Sequence, residues 1–95
     1  MAAYVIVNLD VKDPEAYKEY IAGAPAFVKK HGGEYIARGG KTHVEQGSYQ
    51  PKRMAILKFP TLDAAKAMFA DPAYQPLKQL RQRLSTGDIV MVEGV

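Results

Sequence analysis

Hydrophobic and polar positions first alternate with a period of two. Between Tyr4 and Val11, Val5, Val7, Leu9 and Val11 form a wholly apolar set, while Tyr4, Ile6, Asn8 and Asp10 form a mixed one. That is the signature of a strand with one face on a core. The period then lengthens. Tyr17, Tyr20, Ile21, Ala24, Val28 and His31 recur at helical spacing behind Asp13-Pro14-Glu15, a start in which Asp13 caps, Pro14 suits the first turn and Glu15 meets the positive helix end. Pro25 cannot donate to the carbonyl of Ile21, which predicts a kink there, with the helix resuming to about His31. Gly32-Gly33 supplies the left-handed residue that ends it.

Glu34 to Arg38 predicts a second short strand, closed by Gly39-Gly40. The polar stretch Lys41 to Arg53 carries Gly47-Ser48 and Gln50-Pro51 as turn material and predicts a short hairpin arm. Met54 to Phe59 is a third strand, stopped by Pro60. Thr61 caps a helix whose inner stripe is Leu62, Ala65 and Phe69. Asp71-Pro72 breaks that helix. Leu77, Leu80 and Leu84 mark another, with Arg81 and Arg83 in its last turn, where the helix dipole favours cations. Thr86-Gly87 reads as a turn into a fourth strand, Asp88 to Glu93.

The order is βαββαβ: an α+β, ferredoxin-like arrangement in one domain over residues 1–95, with a four-stranded antiparallel sheet and helices on one face. Helices cover only one side of such a sheet. Alternation assigns Val5, Val7, Leu9, Ala55, Leu57, Phe59, Val90 and Val92 to the helices. It sends Tyr4, Ile6, Asn8, Ile36, Arg38, Met54, Ile56, Lys58, Ile89, Met91 and Glu93 to the other side. That second set holds too many large apolar side chains to be left in water, so a homodimer through the sheet faces is expected, against the alternative of an exposed, merely mixed face.

Composition narrows the function classes. No apolar run approaches the length of a membrane span, and the amino terminus lacks the basic segment of a signal peptide. There is no cysteine, which removes disulfides and thiol chemistry and leaves a reducing, cytoplasmic setting as the default. Thirteen basic against 10 acidic residues give a net charge of +3. The local basic runs, Lys29-Lys30 and Lys78 to Arg83, carry no aromatic partner for stacking a base, so no nucleic-acid partner is expected.

The candidate chemistry gathers on the mixed sheet face. Arg38 offers a planar fork for a carboxylate or phosphate, or else forms a structural ion pair with Glu93. Asn8, Lys58 and Tyr4 share the inferred face as candidate ligand contacts, with Glu93 the candidate catalytic base. Tyr20 and Tyr35 suit either a cavity wall or ordinary packing, and Tyr49 and Tyr74 a dimer contact. His31 is explained as a helix-end group. His43 and Glu45 would share one strand face but are too few for a metal site, and none is expected. No serine–histidine triad is readable around Ser48 or Ser85. Gly40-Lys41-Thr42 imitates the end of a phosphate-binding loop, yet Tyr35 stands where its first glycine belongs; there is no dinucleotide fingerprint, and no cofactor is expected.

The segments AYVIVNLDVKDPEAYKEY, HGGEYIARGG, LKFPTLDAAKAMFADPAYQPL, Arg81-Gln82-Arg83 and the closing VEGV together resemble the bacterial family catalogued as domain of unknown function 1330, within the dimeric α+β barrel superfamily. The resemblance implies a ferredoxin-like protomer and a dimer whose facing sheets enclose a cavity. It implies no reaction, since superfamily members range from monooxygenases and an isomerase to small-molecule-binding proteins. The expectation is a homodimer with a pocket, between sheet and helices or at the dimer partner, for a small anionic or oxygenated organic molecule. It is either an isomerase, lyase or cofactor-independent oxygenase, or a non-catalytic binding or structural dimer.

Overall fold

The computed structural model describes residues 1–95. The first strand, β1 (Ala3–Val11), leads into α1 (Pro14–Lys30) through Asp13, whose carboxylate accepts from the Ala16 amide at 3.1 Å. The helix runs unbroken through Pro25 to Lys30, and beyond its cap residue His31 stands Gly32, whose φ of 80° is the left-handed turn expected there. Next come β2 (Glu34–Arg38), β3 (Arg53–Phe59) and α2 (Leu62–Ala70), the last capped by Thr61 Oγ1 on the Ala64 amide at 3.0 Å. A 3-10 turn over Pro72–Tyr74 restarts the chain into α3 (Gln75–Leu84), which passes directly into β4 (Ser85–Glu93).

The sheet is ordered β2-β3-β1-β4 with every neighbouring pair antiparallel. It is the expected ferredoxin-like α+β fold, with all helices on one side. Val5, Leu57 and Phe59 from the sheet pack with Val28, Ala65, Met68 and Tyr74 from the helical layer, each at most 4% exposed. Two layers make a thin molecule, 36 × 34 × 17 Å.

Several expectations need correction. Thr86-Gly87 is not a turn: both residues sit within β4, opposite Asp10 and Leu9. Gly87 is required there because β1 passes so close that a Cβ would collide with the Asn8 carbonyl. The fourth strand also has the opposite phase. Ile89 pairs with Val7 and Met91 with Val5, so these two face the helices, while Val90 and Val92 stand opposite Ile6 and Tyr4 on the open face, 54% and 48% exposed. The arm between β2 and β3 forms no hairpin; Gly40 to Lys52 is irregular, and residues 41–50 are all exposed. Its far end is pinned by Asn8, whose Nδ2 donates to the Gln50 carbonyl at 3.1 Å and whose Oδ1 accepts from the Lys52 amide at 2.7 Å.

The open face carries a continuous apolar row, Ile56–Ile6–Val90, flanked by Met54, Tyr4, Val92 and Ile36.

Candidate functional site

A β-bulge decides where Arg38 points. Tyr35 pairs with Leu57, but the register shifts before Ala37, so Arg38 pairs with Ala55 and joins the helix-facing set. An extra residue reverses the alternation beyond it. Arg38 therefore does not share a face with Ile36; its guanidinium stacks over the Tyr35 ring, 4.4 Å from the centroid. Arg53, two residues before Ala55 on β3, falls on the same side by simple alternation and stands opposite Leu9.

These residues border a cleft between the sheet and the helices. Val7, Ala55 and Ile89 form its floor, α1 supplies Tyr17, Tyr20, Ile21 and Ala24, and Phe69 and Arg81 close it from α2 and α3. About 60 Å³ between these residues is unfilled, the space of roughly two waters at liquid density. A wider crevice of about 330 Å³ adjoins it, sharing Leu9, Tyr17, Ile21 and Arg53. Thirteen of the 16 residues around the inner cleft are hydrophobic, and the charged ones are Arg38, Arg53 and Arg81; no carboxylate is among them.

Arg81 is the unusual member. It is 7% exposed and forms no salt bridge. One guanidinium nitrogen donates to the Tyr74 hydroxyl at 2.8 Å, and the group lies 6.0 Å from the Tyr20 ring centroid and 5.7 Å from that of Phe69. Tyr74, fully buried rather than at a dimer surface, is also hydrogen-bonded through its hydroxyl to that of Tyr20. Burial pushes the Tyr17 phenol up to about 12, with Tyr20 adding to the effect. It raises Tyr35 too, against the opposing pull of Arg38, and Tyr74, where Tyr20 adds to the rise.

The remaining sequence candidates are not gathered at this cleft. Asn8, Tyr4 and Lys58 lie on the open face, with Asn8 engaged by the arm. Glu93 is exposed at the end of β4, in the row of Ala3 and Phe59. Arg38 belongs to the row of Ala55, Val7 and Ile89 at the opposite edge of the sheet, so the two cannot pair. His43 Nε2 and Glu45 Oε1 meet at 3.0 Å on the exposed arm. His31 serves structure: its Nε2 lies 2.9 Å from Asp71 Oδ2, which also accepts from Lys30 at 2.7 Å, while Asp71 Oδ1 accepts from the Ala73 amide. The Lys30 and His31 bonds, then the Ala73 amide, hold the Asp71 carboxyl well below the usual carboxylate range. This ties the end of α1 to the start of the 3-10 turn.

The position of Arg81 in the last turn of α3 reads as that of a helix-end cation, but Leu77, Leu80, Arg81 and Leu84 fall at i, i+3, i+4 and i+7, which places this arginine inside the apolar stripe.

Solved structures share this architecture. A protein of unknown function from Rhodopseudomonas palustris aligns over 99% of this chain and 82% of its own, with a TM-score of 0.77 and 18% identity. SnoaB, a cofactor-independent oxygenase from Streptomyces nogalater, aligns over 99% of this chain and 92% of its own, with a TM-score of 0.65 and 15% identity. A mutant form of SnoaB gives a TM-score of 0.67 at 18% identity. At such identities the likeness shows the fold. Among curated proteins, none matches the chain. Residues 2–95 match the sequence profile described as Domain of unknown function (DUF1330), and the chain belongs to that family.

Proposed function

We propose that the protein binds a small organic anion in the cleft between sheet and helices: an apolar body carrying a carboxylate, enolate or phenolate oxygen. The observation that carries this reading is Arg81, a buried guanidinium with no carboxylate partner beside an apolar cavity. Burying a charge without its counter-charge is costly, and contacts with aromatic rings offset only part of that cost. A ligand oxygen supplies what the protein omits. Arg38 at the edge and Arg53 beside the adjoining crevice favour the same sign of ligand.

The cleft offers positive charge and donors. No carboxylate or imidazole lines it, and burial holds the phenols of Tyr17 and Tyr35 protonated. It is therefore suited to holding an oxyanion and poorly suited to creating one by proton abstraction. In its catalytic form, the reading is cofactor-independent oxygenation of a substrate that ionises readily, a chemistry favoured here over isomerase or lyase action by the likeness to SnoaB. In its non-catalytic form it is ligand binding alone. The assembly that accompanies either form is a homodimer through the open sheet faces, because Ile6, Ile56, Val90 and Val92 make an apolar surface there.

Benzoate, benzamide and benzylamine separate charge from shape, since all three present the same ring. Ligand-observed NMR with the purified protein should rank benzoate first and benzylamine last, with added salt weakening benzoate alone. Equal binding of benzoate and benzamide, or no binding of benzoate, overturns the proposal.

A further inference from the structure

We infer that Tyr20 is the residue that donates to the ligand's oxygen, and that Arg81, acting through Tyr74, fixes and strengthens that donation. This rests on the anion reading above and adds the contact that reads the ligand. The direction of the hydrogen bonds follows from which groups can accept. A guanidinium only donates, so Tyr74 must accept the Arg81 bond. Tyr74 is 0% exposed, and the only acceptor bonded to its own hydroxyl is that of Tyr20. The Tyr74 proton therefore goes to Tyr20, because a buried hydroxyl does not forgo its bond when an acceptor is in place. The Tyr20 oxygen is then an acceptor from Tyr74, and its own proton has no acceptor in the protein.

Tyr20 borders the cleft and is only partly buried. Its spare proton is the end of a one-way series: Arg81 to Tyr74 to Tyr20 to ligand. Each donation polarises the next hydroxyl, so a cationic origin makes the last O–H a stronger donor than an isolated phenol. Such a donor selects ligands that present a carboxylate, enolate or phenolate oxygen and rejects those that present a donor in the same place. Tyr74 touches no ligand on this account; it is a positioning residue that carries the Arg81 charge to Tyr20.

The test measures benzoate affinity of the full chain by titration, at mildly acidic pH, in wild type and four variants. Tyr20→Phe should bind at least about tenfold more weakly than wild type, the usual consequence of deleting a hydrogen bond to a charged group. Replacing Tyr20 by 3-fluorotyrosine, which keeps the shape and makes the phenol a better donor, should tighten binding. Tyr74→Phe should weaken binding in the wild-type background and leave it unchanged beside Tyr20→Phe, a coupling that a merely structural role for Tyr74 would not produce. Undiminished binding by Tyr20→Phe, or weaker binding on fluorination, overturns the inference while leaving the anion site intact. Failure of the wild type to bind benzoate overturns both.

Discussion

Replacing Arg81 with methionine separates a charge kept for a ligand from a charge kept for the fold. Methionine is unbranched, of similar reach, and adapts to irregular gaps. The substitution removes the hydrogen bond to Tyr74, about 1.5–3 kcal/mol for a bond from a charged donor. It also removes two cation–π contacts, at 5.7 and 6.0 Å, worth about 0.5–1 kcal/mol each. Against these losses stands relief from burying an unpaired guanidinium, several kcal/mol in itself, and the burial of an apolar side chain in its place. The two sides cancel, so Arg81→Met should lie within about 2 kcal/mol of wild type in urea unfolding followed by circular dichroism. Protomer concentration must be held fixed, because dimerisation would add to the apparent stability. Repeating the unfolding in benzoate makes the contrast. At a ligand concentration about 100 times its Kd, wild type should gain about 2.7 kcal/mol, and Arg81→Met should gain nothing. A loss of about 4 kcal/mol or more without ligand, the range for breaking a satisfied buried pair, would refute the reasoning. So would an equal gain from benzoate in both proteins.

Three further outcomes follow from the same structure. Asp71 has its carboxyl lowered below 3.8 by Lys30, His31 and the Ala73 amide; a depressed folded value means stability that is present above the unfolded value and lost as pH falls through the folded one. Wild type should therefore lose urea stability below about pH 4 more steeply than Asp71→Asn, and parallel profiles would contradict the assignment. Val90→Asp, on the open face, should convert a dimer to a monomer in sedimentation velocity without unfolding it, whereas a wild-type monomer at micromolar concentration would contradict sheet-to-sheet pairing. Asn8→Ala removes both side-chain bonds to the arm and should cost about 1–2 kcal/mol, with faster hydrogen exchange at the Lys52 amide; an unchanged amide would mean the arm is held by other contacts.

How far the sequence carried the fold depends on where polar residues marked a face. In β1 the alternation of Val5, Val7 and Leu9 with Asn8 and Asp10 left one phase, and the structure adopts it. In β4 the run Ile89-Val90-Met91-Val92 has no polar member, so either phase reads equally well; the pairing of Gly87 with Leu9 sets it. In β2 the phase reverses at a bulge that five residues do not betray, which moved Arg38 from the open face to the cleft. Arg53 and Arg81 were legible, one by alternation with Ala55 and the other by helical spacing with Leu77 and Leu84, yet a charged residue in an apolar stripe is easily assigned to the surface. The engagement of Asn8 was not legible, because its partners are backbone groups 42 and 44 residues away.

The most direct test of the anion cleft is a crystal structure with 4-bromobenzoate, located by the anomalous signal of bromine. The account predicts the ring and its bromine running from the cleft into the adjoining crevice beside Leu9, Tyr17 and Ile21, with the carboxylate in hydrogen-bond range of Arg81 and the Tyr20 hydroxyl. Bromine on the open sheet face, or a carboxylate turned away from Arg81 toward solvent, would contradict it.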